Sequence, residues 1–207
     1  MKIYELVIDN DSDTMLGVNA ISLVTAPAIE ADFQAFSKEE AKPKLFKQNF
    51  AATDNELRIV TGPALIPEKL IYRRREDEEF MVYLTAQTIR KASQLYLMRG
   101  RQAQVTIEHS ERVDGVTLVE SWIVESDSCD KSVAIGMPQQ KGTWMVSMKI
   151  DNNEIWDDFI KTKELKGFSI EAFFSEIYKR DDTNLSKVEP SGEIDLIELL
   201  AELLELK

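Results

Sequence analysis

A chain of 207 residues with a formal net charge of −12, 43% hydrophobic and 30% charged residues has the balance of one main globular domain with room for an appendage. That acidity argues against a nucleic-acid-binding surface, which needs clustered Lys and Arg; the one basic run, Arg73–Arg75, is followed at once by Glu76-Asp77-Glu78-Glu79 and reads as a solvated, self-compensating loop. One cysteine excludes an internal disulfide, one cysteine with one histidine argues against zinc, and no apolar run approaches the roughly 18 residues of a membrane span. The N-terminus, MKIYELVIDND, lacks the apolar stretch of a signal peptide, so the expectation is a cytoplasmic protein needing no membrane, metal or cofactor.

In chain order, Lys2 to Ile8 alternates as a strand and Asp9–Asp13 turns. Gly17 to Val24 is a second strand, closed by Ala26-Pro27, and residues 31–50 read as a linker or mobile arm with a short helix. Glu56 to Ile66 is a strand broken by Gly62-Pro63, which predicts a bulge or an edge position. Phe80 to Leu84 is a strand, after which Thr85 caps a helix over Ala86–Met98 that Gly100 stops. Gln104–Glu108 and Val116–Val124 are strands joined through Asp114-Gly115. Thr143–Ile150 puts Trp144, Val146 and Met148 on one face and Met145, Ser147 and Lys149 on the other. A helix around Ile155, Trp156, Phe159 and Ile160 precedes the last core strand, Gly167–Tyr178. Residues 1–180 thus form the core, 181–190 a linker, and 191–207 an amphipathic helix with Ile194, Ile197, Leu200, Ala201 and Leu204 on one side. About seven strands with two or three helices suit a mixed α+β domain built round a β-barrel or strongly curved sheet.

Chemistry is sparse. His109 ends the strand-like VTIEHS, a rigid place from which to aim a base whose ordinary pKa suits neutral pH. Ser169, in KGFSIEAFF, follows a glycine within a run of bulky residues and shares a two-residue period with Glu171. It does not stand in a GxSxG elbow, so an α/β-hydrolase is not supported. On these residues alone, a solvated strand serine and a structural histidine remain open readings. Cys129 lies in the acidic loop SESDSCDKS, where a thiol is not activated.

Gly62–Pro67, Ile107-Glu108-His109, Val119–Val124, Gly142–Val146 and Gly167–Glu171, in that order, resemble the XkdF-like phage serine proteases. These belong with the prohead proteases and are similar, more distantly, to the herpesvirus assemblins. The resemblance spans roughly residues 1–180 and implies a curved, mostly antiparallel β-barrel with flanking helices. It also implies a serine endopeptidase that cleaves scaffold and major capsid proteins inside the procapsid, in the host cytoplasm. Ser169 is then the nucleophile and His109 the general base. In many prohead proteases a strand like Ala20–Ala28 follows the serine strand, whereas here it stands at the N-terminus, which implies a circularly permuted core. The residue orienting the histidine then comes from Asn19, with Glu171 and Glu30 as alternatives, and a second histidine is impossible. Gly136 and Gly142 are the candidates for oxyanion donors. The rival expectation is a structural or scaffold protein of the phage head on the same fold, for which the amphipathic tail and a missing acidic partner argue. Self-association is open under either reading.

Overall fold

Alternation of apolar and polar residues governs most of the chain, and strands carry it. The computed structural model describes residues 1–29, 34–36, 57–76 and 78–181. Within these residues twelve strands make three four-stranded sheets, with few helices between them, a mixed α+β architecture. The first sheet contains β1 (Lys2–Val7), β5 (Ile71–Arg75), β6 (Glu78–Leu84) and β12 (Ser175–Asp181), ordered β12-β1-β6-β5. The second contains β3 (Gln34–Phe36), β4 (Ile59–Leu65), β9 (Val116–Ile123) and β10 (Trp144–Ile150), ordered β3-β4-β10-β9. The third contains β2 (Gly17–Val24), β7 (Val105–Ile107), β8 (Glu111–Arg112) and β11 (Gly167–Phe173), ordered β11-β2-β7-β8. Most pairs are antiparallel; β1 with β6 and β2 with β7 are parallel.

The anticipated barrel does not close among the described residues. The last core strand, expected as one piece, is split at Phe174: β11 pairs with β2 in one sheet, and β12 pairs with β1 in another. That switch of sheet replaces ring closure with a corner. Of the expected appendages, the arm over 31–50 is described only at 34–36, where it forms β3 and pairs with β4. The linker beyond Asp181 and the helix over 191–207 lie outside the described residues.

The core sits between the sheets. β10 is buried on both faces, so Met145 and Ser147 on one side are as inaccessible as Trp144 and Val146 on the other. Burying Ser147 costs little because its hydroxyl is engaged, 2.8 Å from both Thr61 Oγ1 and Glu120 Oε2. Pro63 lies where the β4–β10 register shifts, a position that tolerates its missing N–H. Helix α1 (Ala86–Met98) falls where its caps put it: Thr85 Oγ1 accepts the Thr88 N–H at 3.3 Å, and Gly100 turns the chain at φ +65°. A cap of this kind contributes about 1 kcal/mol. Its stripe Ile89, Ala92 and Tyr96 is buried, and Tyr96 meets Trp144 edge-on at 5.6 Å between ring centres. The helix expected near Trp156 is a π-type turn, Ile155–Ile160.

Arg73–Arg75 forms no loop. It is strand β5, because hairpin pairing with β6 sets Arg74 opposite Glu79 and Arg75 opposite Glu78. The self-compensation expected along the chain operates across strands instead.

Candidate active site

Three hydroxyls form a row across the third sheet. Ser169 on β11 faces Ser22 on β2, and Ser22 faces Thr106 on β7. Directly paired residues share a face, and so does Glu171, two positions beyond Ser169 on β11. The Thr106 hydroxyl donates to Glu171 Oε1 and tethers that carboxylate to the neighbouring strands.

His109 reaches this face through a strained turn. After β7 the chain passes through Glu108 (φ 48°) and His109 (φ 57°), both left-handed, at a cost of roughly 1–2 kcal/mol per non-glycine residue. Contacts with β2 hold the turn. The Glu108 N–H donates to the Leu23 carbonyl at 3.1 Å, and the Glu108 carboxylate accepts the Thr25 N–H at 2.6 Å. The His109 N–H donates to Ser22 Oγ at 3.0 Å. Ser22 is fully buried, so this contact is shielded from water. The imidazole then lies with Nδ1 3.5 Å from Glu171 Oε1.

Ser169 is 9% exposed, while the side chains of His109 and Glu171 are 41% and 34% exposed. Among the described residues no hydrogen bond joins Ser169 Oγ to the His109 ring; the two are grouped by the strands on either side of β2. Ser169 also borders a cleft of about 420 Å³ among the three sheets, lined from β11 by Phe168 and Ile170 as well, which alternate with Ser169 and Glu171. Leu6, Ile29, Ile71, Phe80, Val82 and Phe174 give it an apolar lining, and Arg73, Arg74, Arg75 and Glu176 bring charge to it.

Of the candidate third residues that are described, Glu171 is the one the structure brings to His109. Asn19 is the extra residue of a β-bulge, since the register passes from Glu171↔Ala20 to Ala172↔Val18. Its Nδ2 donates to the Met15 carbonyl at 3.4 Å. Glu30 lies outside the described residues. The N–H groups of Gly136 and Gly142 are spent on the Val133 and Val124 carbonyls at 3.0 and 2.8 Å, which leaves them unsuited as oxyanion donors. Cys129 is exposed in its loop, with its N–H donating to Ser126 Oγ at 3.1 Å. Among the described residues no three His, Cys, Asp or Glu side chains gather as a metal site requires.

Sequence reasoning missed Ser22 and Thr106. Their signal was modest, one hydroxyl in each of two apolar strands, and only the pairing reveals a row.

A hydroxyl, an imidazole and a carboxylate on one sheet face, with the hydroxyl's residue also at the border of an apolar cleft, are the parts from which a serine hydrolase is assembled. Residues 47–178 match the family described as "Putative phage serine protease XkdF", and the chain belongs to that family. The match takes in His109, Ser169 and Glu171, whereas β2, with Asn19 and Ser22, precedes it. No curated protein and no solved structure matches the chain.

Proposed function

We propose that this chain is the serine endopeptidase of phage head maturation, with Ser169 as nucleophile, His109 as general base and Glu171 as the residue that orients the imidazole. The observation that carries the reading is the approach of His109 Nδ1 to Glu171 on the face that Ser169 shares. A carboxylate accepting the Nδ1 proton fixes the tautomer that leaves Nε2 free to take a proton. His109 Nε2 removes the Ser169 proton as Oγ attacks the scissile carbonyl. The imidazolium returns that proton to the leaving amine, and water, activated by the same ring, releases the acyl group. The half-exposed ring closes on Ser169 when substrate arrives, since such bonds are often loose without it. In this reading Glu171 takes the place first given to Asn19.

Scaffold and major capsid proteins are the proposed substrates, inside the assembling procapsid in the host cytoplasm. Pairing of the N-terminal β2 with the serine strand β11 supports a circular permutation, because strand partnership is indifferent to chain order. The test is co-expression with scaffold and major capsid protein, comparing the natural chain with Ser169→Ala and His109→Ala. Processing that disappears in both variants is the expected result. Processing that survives both leaves only a structural role for the fold.

A further inference from the structure

The cleft beside Ser169 holds charges of unequal standing. On β5 the alternation sends Ile71, Arg73 and Arg75 toward one face, opposite Val82, Phe80 and Glu78 of β6. Arg75 is satisfied: Nη2 lies 2.7 Å from Glu176 Oε1, and its guanidinium sits 5.3 Å from the centre of the Phe80 ring. Arg73 is not. Its Nη1 donates only to the neighbouring Tyr72 carbonyl at 3.0 Å, and among the described residues it pairs with no carboxylate. Arg73 is exposed to solvent, and partial desolvation against the cleft lowers its pKa. A cation left uncompensated beside apolar side chains gains from a ligand carboxylate, and Arg offers that carboxylate a fixed fork of donors.

Resting on Ser169 as nucleophile, we propose that this cleft is a specificity subsite for an acidic residue of the substrate polypeptide, with Arg73 as the residue that selects it. A peptide side chain such as glutamate lays its methylenes along Ile71, Val82 and Phe80 and sets its carboxylate on the Arg73 guanidinium. The volume, about 420 Å³, is in the range of ligand-binding clefts and accommodates one such side chain with its backbone. In a chain of net charge −12 an acidic substrate is otherwise repelled, so Arg73, which stands opposite Phe80 rather than a carboxylate, is where attraction is available.

The test uses the full chain and two probes. A fluorophosphonate reports whether Ser169 is an activated nucleophile, with Ser169→Ala as the blank. Internally quenched peptide pools with Glu, Gln or Lys fixed at one position at a time report selectivity. The expected result is a preference of at least about tenfold in kcat/KM for Glu over Gln at one position, the scale of one charge-assisted hydrogen bond. Arg73→Gln collapses that ratio to within about twofold, and Arg73→Glu shifts preference toward Lys, while Ser169 labelling remains detectable and shows both variants folded. Labelled enzyme with no acidic preference, or with one that Arg73→Gln leaves intact, overturns the subsite and leaves the nucleophile standing. Failure of the natural chain both to label at Ser169 and to cleave removes the nucleophile, and the subsite with it.

Discussion

Replacing Glu171 with glutamine isolates the charge facing the histidine. The two side chains are nearly the same shape, and the amide oxygen still accepts the Thr106 hydroxyl, so the sheet face is preserved. What disappears is the attraction between the carboxylate and an imidazolium whose Nδ1 stands 3.5 Å away. At that distance Coulomb's law gives about 1.2 kcal/mol in a fully aqueous dielectric and about 4.7 kcal/mol at an effective constant near 20. Both groups are a third or more exposed, so solvent screening favours the lower part of this range, about 1–2.5 kcal/mol. That corresponds to a loss of roughly 5- to 70-fold in the rate at which Ser169 is acylated. The assay is the second-order rate of fluorophosphonate labelling, measured for the natural chain, Glu171→Gln and Asn19→Ala, with thermal unfolding as the check on folding. Asn19→Ala should label at the natural rate, because its amide serves Met15. Equal labelling by Glu171→Gln and the natural chain refutes the orienting role, and a selective loss in Asn19→Ala returns that role to Asn19.

Arg99→Ala should lower Tm by about 4–8 °C, the effect of roughly 2 kcal/mol on a domain of this size, with the loss read by differential scanning calorimetry. Its guanidinium donates to the carbonyls of Asp11, Asp13, Thr14 and Leu16 at 2.5–3.4 Å and organises the turn before β2. Gly142→Ala should destabilise by about 1–3 kcal/mol in urea unfolding, since a Cβ there meets Ala86 Cβ at 2.6 Å on a backbone with φ +92°. Glu120 has its pKa held below 4.5, first by the hydrogen bond from Lys131 and then by that from Ser147. A depressed folded-state pKa means that this carboxylate stabilises above its unfolded value and loses the contribution as pH falls through the folded one. Glu120→Gln should therefore flatten the fall in stability below about pH 4.5, as followed by unfolding at successive pH values.

Helix α1 was legible because its signals are local: a capping threonine, an apolar stripe and a stopping glycine act within one segment. The shared face of Ser169 and Glu171 was legible for a related reason, since a two-residue period survives wherever a strand is unbroken. Strand β5 was hidden because its three arginines look like a solvated loop until β6 supplies their partners. The turn at Glu108 and His109 was hidden as well. No glycine marks it, and its left-handed residues persist through hydrogen bonds to β2, far away in sequence.

The choice between Asn19 and Glu171 shows where strand reasoning stops and pairing takes over. Counting along β2 cannot reveal that its ladder skips a residue, and the bulge at Asn19 ends the regular alternation that faces Ser22 toward the site. Along β11 the ladder is intact from Gly167 to Glu171, so the serine and the carboxylate stand two residues apart, about 6.6–6.8 Å at the backbone. That spacing admits an imidazole flanked by hydrogen bonds of about 2.8–3 Å, and in the proposed relay the carboxylate takes Nδ1 while the serine takes Nε2 once substrate closes the site. A single strand can thus supply both ends of a proton relay. The neighbouring strands set the imidazole beside Glu171: Ser22 accepts the His109 N–H, and Thr106 donates to the carboxylate.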